Sequence, residues 1–329
     1  MEFLTAWEIP VGKTAKIVFD WLKLNFKAEF NAFGDATEDA IEGLISLLQE
    51  PPLDVVALVA AVLTLAILRR YRDMGLVAGA GLLVSIGLRV AGVVVPVVPE
   101  TVSPLVIVAM FMGLTWVIQR RWQPAVVVLV GFLFIINQGY WDKTTETLGL
   151  VAFVCAICMA MGVPVGVAAA HRPKLYQAIQ PVLDLMQTLP APVYLIPFVI
   201  LFGIGVVPAL FASIIFVVPT SIRLTYLGVS TTPTALLEAA TAFGATPRQV
   251  LWKVELPFAF PQIMAGLNQT IMLSLSMVVI SAWVGAAGLG VPVVEALNRV
   301  RPDQGFEAGT VIVALAILLD RMLRVETKR

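Results

Sequence analysis

Charge is what this chain has least of. Asp, Glu, Lys and Arg make up 13% of its 329 residues and hydrophobic residues 59%, against about 25% and roughly 45 to 50% in a soluble domain. So few charges cannot coat a water-facing surface of this size, so most of the chain must face lipid or other spans. The 22 basic residues balance the 22 acidic ones, and no run of five like charges occurs. That removes the electrostatic footprint of a nucleic-acid binder. Histidine occurs once and cysteine twice, too few for a Ser/His/Asp constellation or a four-ligand metal centre. Cys155 and Cys158 have redox spacing but fall in the middle of an apolar stretch without further ligands, and read as two small buried residues. His171 stands beside Arg172 at the end of that stretch and offers neither catalysis nor metal binding by itself. No Gly-x-x-x-x-Gly-Lys-Ser/Thr phosphate loop is present. The chain is therefore expected to be no enzyme, to hydrolyse no ATP and to bind no cofactor or metal of its own.

Long apolar runs are what is there. A requirement of about 20 apolar residues per crossing gives nine candidate spans, 52–69, 74–96, 103–119, 123–140, 147–170, 192–207, 208–227, 259–285 and 307–323. Basic residues gather at alternate span ends: Arg69, Arg70 and Arg72; Arg120 and Arg121; His171, Arg172 and Lys174; Arg223, Arg248 and Lys253; Arg321, Arg324, Lys328 and Arg329. The positive-inside rule makes those ends cytoplasmic. Glu100, Asp142, Glu146, Glu295 and Asp303 mark the opposite side, so the expected topology is N-terminus out and C-terminus in. Arg89 lies about two turns from its span end and can snorkel outward. If the first pair of runs were re-entrant, the count would fall to seven with both termini on the same sides.

The first 50 residues carry nine acidic and four basic side chains. Apolar positions recur at helical spacing through Ile17, Trp21, Leu24 and Ala28, and again through Ala40, Leu44, Leu47 and Leu48. Helices over 15–30 and 37–48 are expected to lie on the outer surface. Met1 is followed by Glu2 with no basic flank ahead of an apolar run, so no cleavable signal is read here.

One polar island interrupts the apolar pattern. Within the 20 residues 238–257, EAATAFGATPRQVLWKVELP, fall Glu238, Arg248, Lys253 and Glu255; buried at mid-bilayer they would cost about 10 kcal/mol together. The segment must lie outside the hydrocarbon. Thr232 and Pro233 start a helix with Leu236, Leu237, Ala240 and Phe243 on one side, and Gly244 can end it in a left-handed cap. Thr246 is placed to cap a second helix that begins with Pro247, carries Val250, Leu251 and Val254, and should stop at Pro257.

This spacing resembles the cytoplasmic loop of binding-protein-dependent ABC importer permeases: Glu238, Ala239 and Ala240, then Gly244, then Val254, then Leu256 and Pro257. Val254 stands where isoleucine is commoner, one methylene apart. The resemblance implies an all-α polytopic membrane protein with a type I ABC importer transmembrane domain, whose helical hairpin sits in a groove of an ATP-binding cassette subunit. It further implies that ATP and Mg are used by that partner, that an extracytoplasmic substrate-binding protein delivers the solute, and that two copies of the chain pair to match a two-fold ATPase. ATP-driven closure would then move the hairpin around Gly244 and rock the attached spans, alternating a central cavity between sides.

Two further blocks carry polar or irregular character. In DLMQTLPAPVYLIPFVILFGIG, residues 184–205, Pro190, Pro192 and Pro197 exclude an unbroken helix. Irregular backbone at membrane depth is tolerated where it is buried in protein or lines a water-filled cavity, so this entry to the sixth span is either a pathway wall or a simple interfacial loop. In MAGLNQTIMLSLSMVVISAWVGAAGLG, residues 264–290, Asn268, Gln269 and Thr270 with Ser274, Ser276 and Ser281 either bond neighbouring helices or face a cavity. Gln187, Thr188, Pro190, Tyr194, Asn268, Gln269, Thr270 and Trp283 are the candidate pathway residues: a neutral hydrogen-bonding wall with a few aromatics passes a methylated ammonium zwitterion without trapping it. Both blocks resemble the quaternary-amine and proline-betaine uptake permeases, over about residues 102–321. The resemblance implies glycine betaine, proline betaine, choline, trimethylamine oxide or a similar solute. By family analogy, tight cation-π capture belongs to the separate binding protein.

The chain divides on this reading into an amphipathic extracytoplasmic or interfacial segment 1–51, accessory spans 52–101, scaffold spans 102–146 and a core permease domain 147–329 containing the coupling loop 229–257. A bacterial inner-membrane location follows. Asp320, Arg321 and Arg324 read as a solvated helix end, and Gly162 with Gly166, like Gly75 with Gly79, has spacing that permits close helix packing. The competing class is a self-sufficient secondary transporter or channel for small zwitterions, which would normally place an ionisable residue deep in the bundle. Spans 103–119, 147–170 and 259–285 hold no Asp, Glu, Lys or Arg at mid-depth.

Overall fold

The computed structural model of the chain describes residues 11–67, 97–99 and 102–323. Among them the structure is all-helical apart from one isolated bridge between Pro52 and Val97. We number the helices α1 (Val11–Asn25), α2 (Lys27–Gln49), α3 (Leu53–Ile67), α4 (Ser103–Gln119), α5 (Trp122–Asn137), α6 (Trp141–His171), α7 (Pro173–Thr188), α8 (Ala191–Phe202), α9 (Val206–Ser230), α10 (Thr234–Ala242), α11 (Pro247–Val250), α12 (Leu256–Ala282), α13 (Gly290–Asn298) and α14 (Pro302–Leu323).

Three helical rods of the described residues are long and apolar enough to cross a membrane: α6, α9, and the run Pro247–Ala282 that contains α12. The pair α7 and α8 makes a fourth if its 94° bend is one broken span. Shorter apolar helices cover Leu53–Thr64, Ser103–Gln119 and Trp122–Asn137. Against the nine expected spans, the described residues hold three to four clear ones and three shorter apolar helices, while the run 74–96 and the pair Gly75 and Gly79 lie outside the described residues.

The predicted proline block does break the chain, but once. The helix stops at Thr188, Leu189 and Pro190 are extended, and α8 then runs through Pro192 in its first turn and Pro197 in its interior. Pro192 costs nothing there because a first-turn amide has no partner to lose. The elbow is held by Tyr194, whose hydroxyl donates to the Met186 carbonyl at 3.0 Å, and by Gln187, whose amide donates to Thr220 Oγ1 of α9 at 3.0 Å.

Helices α6, α9 and α12 form the centre, and missing Cβ atoms bring them together. A Cβ at Gly162 of α6 would stand 2.1 Å from Ser221 Oγ of α9, and one at Gly166 2.6 Å from Thr225 Cβ. On the other side of α9, a Cβ at Gly228 would stand 3.1 Å from Ala259 Cβ of α12. Ser221 exploits the approach by donating to the Cys158 carbonyl at 2.9 Å. Cys155 and Cys158 are buried along α6, and Cys158 Sγ lies 3.9 Å from the Ile214 carbonyl. Around this centre α4, α5 and α14 pack through Phe132, Val128, Leu315 and Leu318 against Leu148, Leu275 and Val278.

At the end of the bundle where α6 begins, α2 lies across the core helices. Ile41 is fully buried with Leu150, Val154 and Leu210, Phe30 meets Phe202 edge-on at 5.5 Å, and Gln49 donates to Thr145 Oγ1 at 3.1 Å. The boundary between the two helices lies at Phe26, not in 31–36 as the amphipathic pattern suggested: α1 ends at Asn25 and α2 runs from Lys27 through the expected gap to Gln49. Thr147 Oγ1 accepts the Leu289 amide at 2.9 Å, closing the same end.

Gly162→Val places its branched side chain inside the Ser221 contact. Overpacking of this kind typically costs about 1 to 3 kcal/mol, so the solubilised protein should melt at lower temperature than the parent. Gly43→Ala, whose added Cβ would meet nothing within 4 Å, should melt no lower. Equal melting of the two variants would show that the close approach carries no stability.

Candidate functional site

The polar island folds as the spacing predicts over its first half. Helix α10 has no buried residue. It ends with Phe243 as cap and Gly244 in the left-handed region at φ 79°. The Gly244 amide bonds the Thr241 carbonyl at 2.9 Å and the Ala245 amide bonds the Ala240 carbonyl at 3.1 Å, which is the paired Schellman closure. Thr246 then caps α11 in a reciprocal box: its Oγ1 accepts the Gln249 amide at 3.4 Å, and Gln249 Oε1 accepts the Thr246 amide at 2.9 Å. The result is a rigid glycine-centred hairpin with satisfied ends.

The second half corrects the sequence expectation. Pro257 does not stop the helix. Residues Leu251–Glu255 form a π-turn in which the Leu256 amide reaches back five residues to the Leu251 carbonyl, and α12 follows without interruption. A proline lacks the amide an α-turn would use, and its ring strikes the preceding turn; the wider turn supplies room for it. Pro247 to Ala282 is one rod of 36 residues, so the second arm of the hairpin and the span are a single body.

The side chains of this site divide by exposure. Glu238, Ala239, Gly244 and Pro257 are exposed, while Ala240, Val254 and Leu256 are half-buried where the arms meet. Phe243 is 92% exposed and Trp252 62% exposed. Two large aromatic rings therefore project into open space from an otherwise polar loop. Trp252 escaped the sequence reading because it stands off the apolar spacing of Val250, Leu251 and Val254. Glu255 departs from the other charges of the island: it is 7% exposed, and its carboxylate oxygens lie 2.9 and 3.2 Å from His171 Nε2 at the last residue of α6. Two signals for this pair stand in the sequence, a lone histidine ending a span and a carboxylate next to Leu256 and Pro257, but nothing there says that they meet.

The pathway candidates do not form one cluster. Gln187, Thr188, Pro190 and Tyr194 gather at the elbow between α7 and α8, with Tyr194 buried and the other three exposed. On α12, Asn268 turns to α14 and donates to Asp320 Oδ1 at 2.6 Å. Asp320 is thereby half-buried and bonded, not the solvated helix end the sequence suggested. Thr270 is buried and its hydroxyl donates to the Gly266 carbonyl at 2.8 Å. Gln269, Ser276 and Trp283 are exposed, and their seven-residue spacing puts them on one face of the helix. That face spans roughly 21 Å at 1.5 Å per residue. The charges at the α7 to α9 contact are paired, Arg223 Nη2 with Asp184 Oδ1 at 2.5 Å.

Comparison with known proteins matches this architecture. A family model described as binding-protein-dependent transport system inner membrane component matches residues 162–324. The glycine betaine transport system permease protein OpuAB of Bacillus subtilis is 47% identical over 67% of this chain and 78% of its own length. The glycine betaine/carnitine transport permease protein GbuB of Listeria monocytogenes is 46% identical over 68% of this chain and 80% of its own length. Among solved structures, a chain of the inward-facing MetNI methionine ABC transporter has a TM-score of 0.50 at 26% identity, covering 54% of this chain and 92% of that one. A helical bundle carrying a glycine-centred hairpin, matched across its core by permeases and by a transporter of known fold, the chain belongs to the binding-protein-dependent transport system inner membrane components.

Proposed function

We propose that this chain is the permease subunit of an ATP-driven importer for glycine betaine, carnitine or a related methylated amine, and that residues 229–257 couple it to an ATP-binding cassette subunit. One observation carries the reading: an ordered hairpin with exposed Phe243 and Trp252 continues without a break into α12. Exposed aromatics on a rigid frame suit a groove in a soluble partner, and a continuous helix passes their displacement into the bundle. Glu238, Ala239, Ala240, Gly244, Leu256 and Pro257 make up this handle. ATP and Mg belong to the partner, and energy reaches this chain through contact alone.

The solute class rests on the relatives, which act on glycine betaine and carnitine, and on the neutrality of the exposed α12 face. Gln269, Ser276 and Trp283 offer hydrogen bonds and an aromatic ring but no charge that would hold a zwitterion by ion pairing. A second copy of the chain brings two such faces and two hairpins to a two-fold ATPase, and an extracytoplasmic binding protein supplies the solute at the α13 end. The hairpin lies at the cytoplasmic end and α2 at the opposite end, so the N-terminus faces out and the C-terminus in across a bacterial inner membrane. The chain groups on this reading as an extracytoplasmic segment 1–51, an accessory region 52–101, a scaffold 102–146 and a core 147–329.

Purified with its ATPase subunit, the parent chain should retain that subunit, and Glu238→Lys should release it while the chain elutes and melts as before. Gly244→Ala places a Cβ at φ 79° and costs roughly 1 to 2 kcal/mol. Faster proteolysis of the hairpin, with spans still folded, is the expected readout. In vesicles, uptake of labelled glycine betaine should require the ATPase subunit and ATP; accumulation by this chain alone would refute the reading.

A further inference from the structure

The only histidine of the chain closes a contact that the docking reading does not need. His171 is the last residue of α6, and Glu255 is the last residue of the wide turn that roots the rod in the bundle. Nε2 faces both carboxylate oxygens of Glu255, and Nδ1 stands 2.9 Å from the Val167 carbonyl. A carbonyl and an ionised carboxylate only accept hydrogen bonds. Each ring nitrogen thus faces an acceptor, one on its own helix and one on the rod. Glu238, Arg248 and Lys253 are exposed to solvent, whereas Glu255 is buried against this one ring. A buried carboxylate stripped of its partner is strongly destabilised.

The position of the pair matters more than its strength. A push on the hairpin reaches α12 along the rod and α9 through the short link at residues 231–233. Helix α6 is attached to α9 higher up, by the glycine contacts at Gly162 and Gly166. It also packs directly on α12 through Leu148, Val151 and Cys155 with Leu275 and Val278, and at the hairpin end His171 adds a contact to Glu255, made where the helical winding changes.

We propose that His171 and Glu255 are a positioning pair for energy coupling: their contact fixes the inner end of α6 to the root of the rod. Hairpin displacement then moves α6, α9 and α12 as one body. The pair touches neither solute nor nucleotide, and the proposal rests on the hairpin being the ATPase contact.

The test uses the full complex of this chain, its ATPase subunit and its binding protein, reconstituted in vesicles. Retention of the ATPase subunit, ATP hydrolysis and glycine betaine uptake are measured on the same preparation. In Glu255→Gln and His171→Asn the complex should assemble and hydrolyse ATP, while solute moved per ATP falls by about tenfold, within the usual span of coupling between sites. His171→Lys, which carries a fixed charge and several donors to the same carboxylate, should recover most of that ratio. Parental solute per ATP in both neutral variants overturns the proposal. A parallel fall of hydrolysis and uptake that lysine does not restore overturns it too, since the pair would then only hold the fold. If the parent chain itself fails to retain the ATPase subunit, the hairpin reading fails and the proposal falls with it.

Discussion

The structure depends on one constraint: within hydrocarbon no water replaces a lost backbone hydrogen bond, so a helix entering the membrane must stay wound. At Pro257 this constraint meets a residue that cannot donate. The chain answers with a π-turn over Leu251–Glu255 and continues to Ala282. A break at that point would have left the hairpin swinging on a flexible joint. Because the winding persists, a force applied at α11 arrives in the bundle as rotation or translation of a rod. The same constraint explains the elbow before α8, where Leu189 and Pro190 leave the helix but Tyr194, Thr188 and Gln187 occupy carbonyl or hydroxyl partners around it.

Stiffness along one rod would do little without neighbours that follow it. Leucines on facing helices would hold the axes apart and let them slide on a soft layer of side chains. Here Gly162, Gly166 and Gly228 remove that layer, and backbone meets side chain directly on both flanks of α9. In lipid no hydrophobic effect drives helices together, so close van der Waals contact and interhelical bonds such as Ser221 to Cys158 do the work. Along these contacts the three helices resist sliding past one another.

Much of this was legible from the residues. The hairpin could be read because its punctuation is local: Gly244 takes a positive φ, Thr246 caps, and Pro247 opens a helix. The elbow was legible for the same reason. What failed depended on partners distant in sequence or on how a proline is accommodated. Pro257 reads as a stop under the ordinary α-helical rule, and only a change of winding reverses that. Asn268 and Asp320 are 52 residues apart, and nothing in either neighbourhood says that one leaves the pathway face to bond the other. His171 and Glu255, 84 apart, are hidden in the same way. Periodicity identified Gln269 and Trp283 as members of a polar helix; which polar positions face outward required the packing.

Neutrality of the outward face and charge at the inner end are two sides of one arrangement. A zwitterion of the betaine type is bound weakly by hydroxyl, amide and indole groups, and such a wall exchanges it readily. Paired charges there would hold it and slow release. Among the described residues three polar contacts with an ionisable partner join helices: Arg223 to Asp184 between α9 and α7, Asp320 to Asn268 between α14 and α12, His171 to Glu255 between α6 and the rod. On the reading proposed above, these contacts tie neighbouring helices together, while the exposed face of α12 carries no charge.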